Sequence, residues 1–149
     1  MKPSTLKQLR GNTALDSSTL IEYLTGTDLG KVLRTYFERM ELDETAYVSN
    51  LTIAETFYVL CRREGVESAS QKITRMISSK VIQPTDSIEL AIEAGKLKKR
   101  AISLPDCSCL AVAKETGARP VFASRGTELT REMKRKPFDA IPIFLQDIR

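Results

Sequence analysis

Four acidic residues are the side chains of this sequence best suited to chemistry: Asp16, Glu55, Asp106 and Glu128. The chain contains no histidine, which excludes imidazole acid–base catalysis, Ser-His-Asp triads and most zinc sites. Carboxylate oxygens without imidazole or thiolate partners favour Mg²⁺ or Mn²⁺, and such ions activate water and neutralise charge on a phosphodiester. If the acids converge in the fold, the sequence therefore predicts metal-dependent hydrolysis.

Three of these acids also have a purely structural interpretation. Asp16 follows a short predicted strand and could simply cap the helix after it. Asp106 follows Pro105 in a first helical turn, where a negative charge suits the helix dipole. Glu55 lies beside an apolar helical stripe, where an unpaired carboxylate is costly, so it could be a rim residue or the partner of an arginine. Both interpretations stay open for each of the three residues.

The elements that would position these acids alternate along the chain. Helices separate five predicted strands, at residues 13–15, 45–49, 80–83, 120–123 and 141–145. The alternation favours a parallel sheet that is covered by helices on both faces. Ligands of such sheets bind at the carboxyl ends of the strands, and both Asp16 and the segment that leads to Glu128 follow such an end. Ser17 and Ser18 are expected to cap the first helix.

The composition indicates one globular domain at residues 13–149, preceded by an N-terminal arm at residues 1–12. Hydrophobic residues make up 42% of the 149, enough for a core, and no apolar run approaches the roughly 18 residues that a membrane helix needs. The first residues lack the apolar stretch of a signal peptide. The number of cysteines is three, and an odd number argues against a framework of disulfide bonds. A cytoplasmic location without membrane attachment is therefore expected.

Cys107 and Cys109 point to different faces of one helix and are expected to pack in the core rather than bind zinc.

The net charge of +4 permits a polyanionic partner without requiring one. Arg125, beside Ser124 at the exit of the fourth predicted strand, has the best position for a phosphate. Two basic runs could also hold phosphates of a nucleic acid, or could be solvated helix faces, namely Lys96, Lys98, Lys99 and Arg100, and Arg131, Lys134, Arg135 and Lys136.

Four short motifs, taken in order, resemble the PIN-domain family. They are A-L-D-S-S at residues 14–18, T-I-A-E at 52–55, L-P-D at 104–106, and V-F-A-S-R at 121–125 followed by E-L. The resemblance covers roughly residues 13–145, nearly the whole chain. The family includes the toxin ribonucleases of VapBC toxin–antitoxin pairs and archaeal stand-alone members.

The resemblance assigns site residues one by one. It places the family's metal-binding and catalytic acids on Asp16, Glu55 and Asp106. The family often reads T-R-D-x-D/E-F in its last motif, whereas this chain has Gly126 in place of the first of these two acids and Glu128 in place of the second. Glu128 would then complete the metal set.

The polar residues around these acids are assigned to the substrate. The resemblance places the family's serine or threonine at the fourth strand's exit on Ser124, and Arg125 and Ser17 are expected to bind the RNA together with it.

The resemblance also implies a fold and an activity. The fold is a three-layer α/β/α sandwich with a five-stranded parallel sheet. The activity is endonucleolytic hydrolysis of RNA by water with Mg²⁺ or Mn²⁺, which leaves a 5′-phosphate. An antitoxin protein and a homodimer are the implied protein partners. The alternative is a catalytically weakened PIN-like domain that acts as an RNA- or protein-binding module, and Gly126 is its main support.

Two other α/β classes fit less well. A phospho-acceptor receiver domain needs a second acid directly after the first strand and a lysine after the last, but this chain has Ser17 and Gln146 there. A haloacid-type phosphatase needs an aspartate two residues after the first, where this chain has Ser18.

Overall fold

Five short strands form one parallel sheet in the computed structural model, which describes residues 8–148. The strand order is β3-β2-β1-β4-β5, and every neighbouring pair is parallel. The central strand β1 is buried along its whole length, as is usual for a parallel sheet covered on both faces. The strands are β1 Thr13–Leu15, β2 Ala46–Val48, β3 Gln83–Pro84, β4 Arg119–Phe122 and β5 Ile143–Phe144.

Seven α-helices in the described residues connect or cover these strands. They are α1 Ser17–Thr25, α2 Asp28–Arg39, α3 Asn50–Glu64, α4 Val66–Ser78, α5 Ile88–Leu97, α6 Leu104–Thr116 and α7 Thr127–Arg135. A short 3-10 helix follows β5 at Leu145–Asp147. None of the helices within residues 8–148 has the length and apolar character needed to cross a membrane.

The two faces of the sheet carry separate hydrophobic cores. Neighbouring residues of a strand point to opposite faces, so Leu15 and Ala14 belong to different cores. Leu15 packs with side chains from α1 to α4, whereas Ala14 packs with side chains from α5, α6 and α7. The chain first moves outward from β1 to β3 and then returns to β4 and β5 on the other side. The predicted three-layer α/β/α sandwich is therefore confirmed.

Three strands are shorter than the sequence predicts, and the first of them, β2, covers only Ala46–Val48 of the predicted 45–49. The segment at 80–83 joins the sheet only from Gln83, because Lys80 takes a positive φ of 59° in the turn that follows α4. Pro84 is accommodated because β3 is an edge strand, where a missing N–H leaves no ladder bond unmade. The segment at 141–145 pairs only at β5, since the chain then turns into the 3-10 helix.

Helices α1 and α2 approach each other closely at Gly30. A Cβ atom at this position would overlap the carbonyl oxygen of Glu22 and lie 2.8 Å from the backbone nitrogen of Tyr23. Only a residue without a side chain therefore fits between the end of α1 and the first turn of α2.

Part of the predicted N-terminal arm is bound to the domain. Residues 1–7 lie outside the described residues. Leu9 is buried in the core on the α1–α4 side. The Gly11 carbonyl accepts a hydrogen bond from the Tyr36 hydroxyl at 2.7 Å, and the Asn12 side chain accepts one from the Thr45 backbone N–H at 2.7 Å.

Candidate active site

Asp16 lies between β1 and α1, and its two carboxylate oxygens have different environments. Its Oδ2 atom accepts hydrogen bonds from the Ser18 backbone N–H at 3.0 Å and from the Ser18 hydroxyl at 2.7 Å. Asp16 is thus the N-cap of α1, in place of the predicted Ser17 or Ser18. The Oδ1 atom is buried and has no hydrogen-bond partner within residues 8–148. Oδ2 therefore stabilises the start of α1, and Oδ1 is available to a ligand.

Ser18 connects the Asp16 carboxylate to the exit of β4. Its hydroxyl oxygen accepts a hydrogen bond from the Ala123 backbone N–H at 3.0 Å while it donates to Asp16. β1 and β4 are the neighbouring strands at which the chain direction across the sheet reverses, and ligands of open parallel sheets bind at this point. Ser124, directly after this contact, is exposed. Ser18 is not among the predicted site residues, because its type and position in the sequence indicate only a helix cap.

Hydroxyl groups fix the first turns of α3 and α6 beside Asp16. Ser103 caps α6 by accepting from the Asp106 backbone N–H at 3.2 Å, which fixes the position of Asp106 in that turn. Ser49 caps α3 and also accepts a hydrogen bond from the hydroxyl of Ser108, on the next turn of α6. Glu55 lies on α3 in the second turn of the helix. These bonds hold the two acid-bearing helices against each other at the carboxyl edge of the sheet.

The three acids Asp16, Glu55 and Asp106 act on one another electrostatically. Burial raises the pKa of Asp106 to about 7, and the nearby charges of Asp16 and Glu55 add to this rise. Burial likewise raises the pKa of Asp16, although hydrogen bonds from Ser18 offset part of the shift. The pKa of Glu55 is raised mainly by burial and further by the charge of Asp16. The fold therefore brings these three predicted acids into one interacting group.

The other predicted site residues lie around this group or outside it. The Ser17 hydroxyl faces Glu55 and lowers its pKa, which partly offsets the effect of burial. Arg125 is exposed, forms a bidentate ion pair with Asp147, and its guanidinium lies over the Phe144 ring. Glu128 is exposed on the first turn of α7, and it is not among the groups that most affect the pKa values of the three acids.

The donor set fits a hard divalent cation. Glu55 Oε2, like Asp16 Oδ1, is buried without a hydrogen-bond partner within the described residues. Anionic oxygens are the ligands that Mg²⁺ prefers, and Mg²⁺ usually takes only one or two carboxylates and keeps several waters. Within residues 8–148 no three acidic or thiol side chains come close enough to hold an ion by themselves. A bound ion would therefore need water ligands or a small closing movement of the acids.

The cysteines have no part in this site. Cys109 is buried on α6, where its thiol lies 3.4 Å from the Ala14 carbonyl as a weak donor, and burial raises its pKa well above the usual range. Cys107 is also buried. Both agree with the predicted role in core packing.

Comparison with known proteins gives a family and a fold. The sequence model of the PIN domain matches residues 13–141. Among solved structures, the fold resembles that of Mycobacterium tuberculosis VapC20, a toxin that cleaves the Sarcin-Ricin loop, with 17% identity, a TM-score of 0.63, and coverage of 81% of this chain and 94% of that chain. VapBC-1 from nontypeable Haemophilus influenzae has 17% identity and a TM-score of 0.62, over 91% of this chain and 98% of that one. VapBC2 from Rickettsia felis, bound to a DNA fragment from its promoter, has 18% identity and a TM-score of 0.63, over 89% and 98%. No curated protein sequence matched the chain.

Proposed function

Because this chain belongs to the PIN domain family, we propose that it is an endoribonuclease that hydrolyses RNA phosphodiesters with Mg²⁺ or Mn²⁺. The observation that carries the proposal is the pair of buried, unpartnered oxygens, Asp16 Oδ1 and Glu55 Oε2, in the same group of acids as Asp106. Burying anionic oxygens without partners costs stability, so their retention supports a ligand of opposite charge.

In this proposal, each side chain of the site has a distinct role in binding the ion or the RNA. Asp16, Glu55 and Asp106 would hold the ion, and Ser18 would keep Asp16 Oδ2 turned away so that Oδ1 faces it. When bound, the ion would supply activation of a water and neutralisation of charge on the phosphate. Ser124, at the open exit of β4, would contact the substrate. Attack of water on phosphorus with departure of the 3′ oxygen would leave a 5′-phosphate on the product.

A catalytically weakened, RNA- or protein-binding domain is the second candidate. It is favoured by the last motif, where Gly126 supplies no carboxylate and Glu128 is exposed. Glycine is not required by the backbone, because Gly126 has an extended conformation with φ of −79° and open space beside it. This position could carry an acid and does not.

The proposal extends to location and to protein partners. We place the protein in the cytoplasm, where its three thiols, which are free in the structure, would stay reduced. VapBC assemblies are among the similar structures, which supports an antitoxin as a partner for this chain. A homodimer is supported by exposed apolar side chains on α5, which include Ile88 and Ile92.

A cleavage assay with matched variants tests the activity. Purified protein is incubated with RNA and Mn²⁺, and Asp16→Asn and Asp106→Asn are compared with Glu115→Gln, which removes an exposed acid from the other end of α6. We expect both asparagine variants to lose about a hundredfold or more in rate, since each removes a ligand charge, and Glu115→Gln to keep wild-type activity. RNA binding without cleavage in any divalent metal would favour the second candidate. Wild-type cleavage that persists in excess EDTA would rule out the metal mechanism.

A further inference from the structure

A cavity of about 450 Å³ lies beside α7, after the exit of β4. It begins at the residue after Ser124, and a single hydrogen bond from Ala123 to Ser18 connects this strand exit to Asp16. Three of its six lining residues are cationic and none carries a carboxylate. The lining residues are Arg125, Gly126, Thr127, Thr130, Arg131 and Lys134.

Two of the three cationic groups of this cavity differ from Arg100 and Arg135 of the predicted runs, which are ion-paired. Arg131 and Lys134 are exposed and have no ion pair within the described residues. Arg135, on the same helix, is instead paired with Glu132 at 3.0 Å. In the other run, Arg100 is bound to the same glutamate. Of the basic residues of α7, Arg135 therefore stabilises the fold, whereas Arg131 and Lys134 line the cavity.

Uncommitted hydrogen-bond donors line the same cavity. α7 has nine residues and begins after Gly126, which has no side chain to accept from the first N–H groups of the helix. These N–H groups and the helix dipole favour an anion at this end. One turn further, the Thr130 hydroxyl oxygen is buried and has no hydrogen-bond partner among residues 8–148. A buried hydroxyl without a partner is costly unless a ligand completes it.

We propose that this cavity is a subsite for a backbone phosphate of RNA next to the phosphate that is cleaved. The helix N-terminus, the Thr130 hydroxyl and the charges of Arg131 and Lys134 together suit a phosphate monoanion. Arg125, held in place by Asp147, closes the side of the cavity toward β4. The inference rests on the proposed function for the identity of the ligand, but it concerns binding and not the cleavage step.

The salt dependence of RNA binding tests this subsite. Binding of a fluorescent single-stranded oligoribonucleotide is measured over a range of salt, in an Asp16→Asn background that leaves the RNA intact. We expect Arg131→Ala combined with Lys134→Ala to weaken binding and to flatten the slope of log K against log salt by about 0.7 for each phosphate that the protein no longer neutralises. The matched control is Lys96→Ala with Lys99→Ala, which removes the same charge from an exposed face without an ion pair. The control should leave the slope nearly unchanged.

Thr130→Val provides a second variant with a separate readout. Because the hydroxyl has no partner among the described residues of the free protein, the valine variant should be at least as stable to heat as wild type, yet bind RNA more weakly. In the catalytically intact protein, the Arg131 and Lys134 changes should raise KM severalfold and leave kcat nearly constant.

The outcomes separate this inference from the proposed function. Equal salt slopes for the two double variants, or equal RNA affinity of Thr130→Val and wild type, would overturn the subsite even if the enzyme cleaves RNA. A changed slope in a protein that never cleaves RNA would support the subsite while the proposed catalysis fails. Absence of any RNA binding by the wild-type chain would overturn the subsite as well.

Discussion

Single residues in the site combine structural and chemical roles. Asp16 caps α1 with one carboxylate oxygen and leaves the other buried and free. Its cap interaction fixes the orientation of the whole carboxylate, because the Ser18 hydroxyl and backbone both hold Oδ2. The two interpretations that the sequence left open for Asp16, a helix cap and a site acid, are therefore compatible in one side chain.

The raised pKa of Asp106 predicts a pH-dependent cost to the metal-free fold. The pKa rises from 3.8 to about 7, so its contribution to stability is fully present below 3.8 and is lost as pH increases through about 7. In EDTA we expect Asp106→Asn to be more stable than wild type at about pH 8, with the difference shrinking toward about pH 5. Urea unfolding at the two pH values measures this. A variant less stable than wild type at the higher pH would show that the Asp106 charge is compensated in the fold.

Substitution of Glu128 tests whether this residue contributes to the proposed metal site. It is exposed on the first turn of α7, so at most it reaches the ion from outside or through a water, and solvent can replace it. We expect Glu128→Gln to slow cleavage, but by much less than Asp16→Asn. Single-turnover rates at saturating Mn²⁺ compare the two. Loss as deep as that of Asp16→Asn would make Glu128 a direct ligand, and full wild-type rate would remove it from the site.

Residue types and motif order were sufficient to predict that Asp16, Glu55 and Asp106 interact. Asp16 follows a strand end and Asp106 begins a helix, and parallel strands bring such positions to one edge. Glu55 lies in the second turn of α3, so only the order of the motifs grouped it with the other two. Ser18 could not be recognised in this way, because its role depends on the Ala123 N–H, 105 residues away in the chain. A hydroxyl that bridges two distant segments has no local sequence signature.

At the scale of elements, the contact between α1 and α2 depends on a single glycine. We expect Gly30→Ala to destabilise the protein by about 1–3 kcal/mol, because its Cβ would meet backbone atoms of Glu22 and Tyr23 that cannot easily move. Gly95→Ala, in α5, is the matched control: its Cβ meets nothing within 4 Å, so it should stabilise by about 0.5–1 kcal/mol through helix propensity. Denaturant midpoints distinguish these signs, and equal midpoints would contradict the close approach.

The end of α7 is fixed by one buried glutamate. Glu132 pairs with Arg135 and with Arg100, whose guanidinium also lies 4.0 Å from the centre of the Phe138 ring. Hydrogen bonds from Arg135 lower the pKa of Glu132 below 4.5, so its contribution to stability is present above pH 4.5 and is lost as pH falls through the lowered value.

Replacing that glutamate should therefore matter most near neutral pH. We expect Glu132→Gln to have a lower Tm than wild type at about pH 7 and a smaller difference at about pH 3. Glu115→Gln, which is exposed, should not change Tm at either pH. A Tm difference for Glu132→Gln that grows on acidification would contradict the assigned ion pairs.

Element type was easier to predict than element boundaries. The helical stripes and the alternation with strands identify the parallel sheet, because periodicity reports which faces are buried. Caps were predicted less well. The sequence around each helix start contains several suitable residues, and only the structure shows that Asp16 caps α1 instead of Ser17 or Ser18.

At the scale of the whole molecule, apolar side chains remain exposed on one helical face. Ile88 and Ile92 lie on α5 with 76% and 55% of their surface exposed. Leu104, at the start of α6, is also exposed, and α6 packs closely against α5. Apolar side chains of α2, such as Val32, are in contrast packed against the core.

We expect the protein to form a homodimer through α5. Ile88→Glu combined with Ile92→Glu should give a monomer at about ten micromolar, a concentration at which wild type should sediment as a dimer. Their exposure means that the fold should tolerate both changes. Val66→Glu, at an equally exposed apolar position on α4, should leave the dimer intact. A wild-type monomer, or dimers of all three proteins, would contradict this interface.

The central position of β1 has a consequence for the nascent chain during synthesis. β1 ends at residue 15, but one of its two neighbours is β4 at Arg119–Phe122, near the other end of the chain. Until the ribosome has released that segment, β1 has a free edge and Ser18 lacks the Ala123 N–H. Translation must therefore pass Ala123 before the acids can be assembled in their final arrangement. A ribosome that stalls earlier on this message would carry a chain in which the group of acids is not yet fixed.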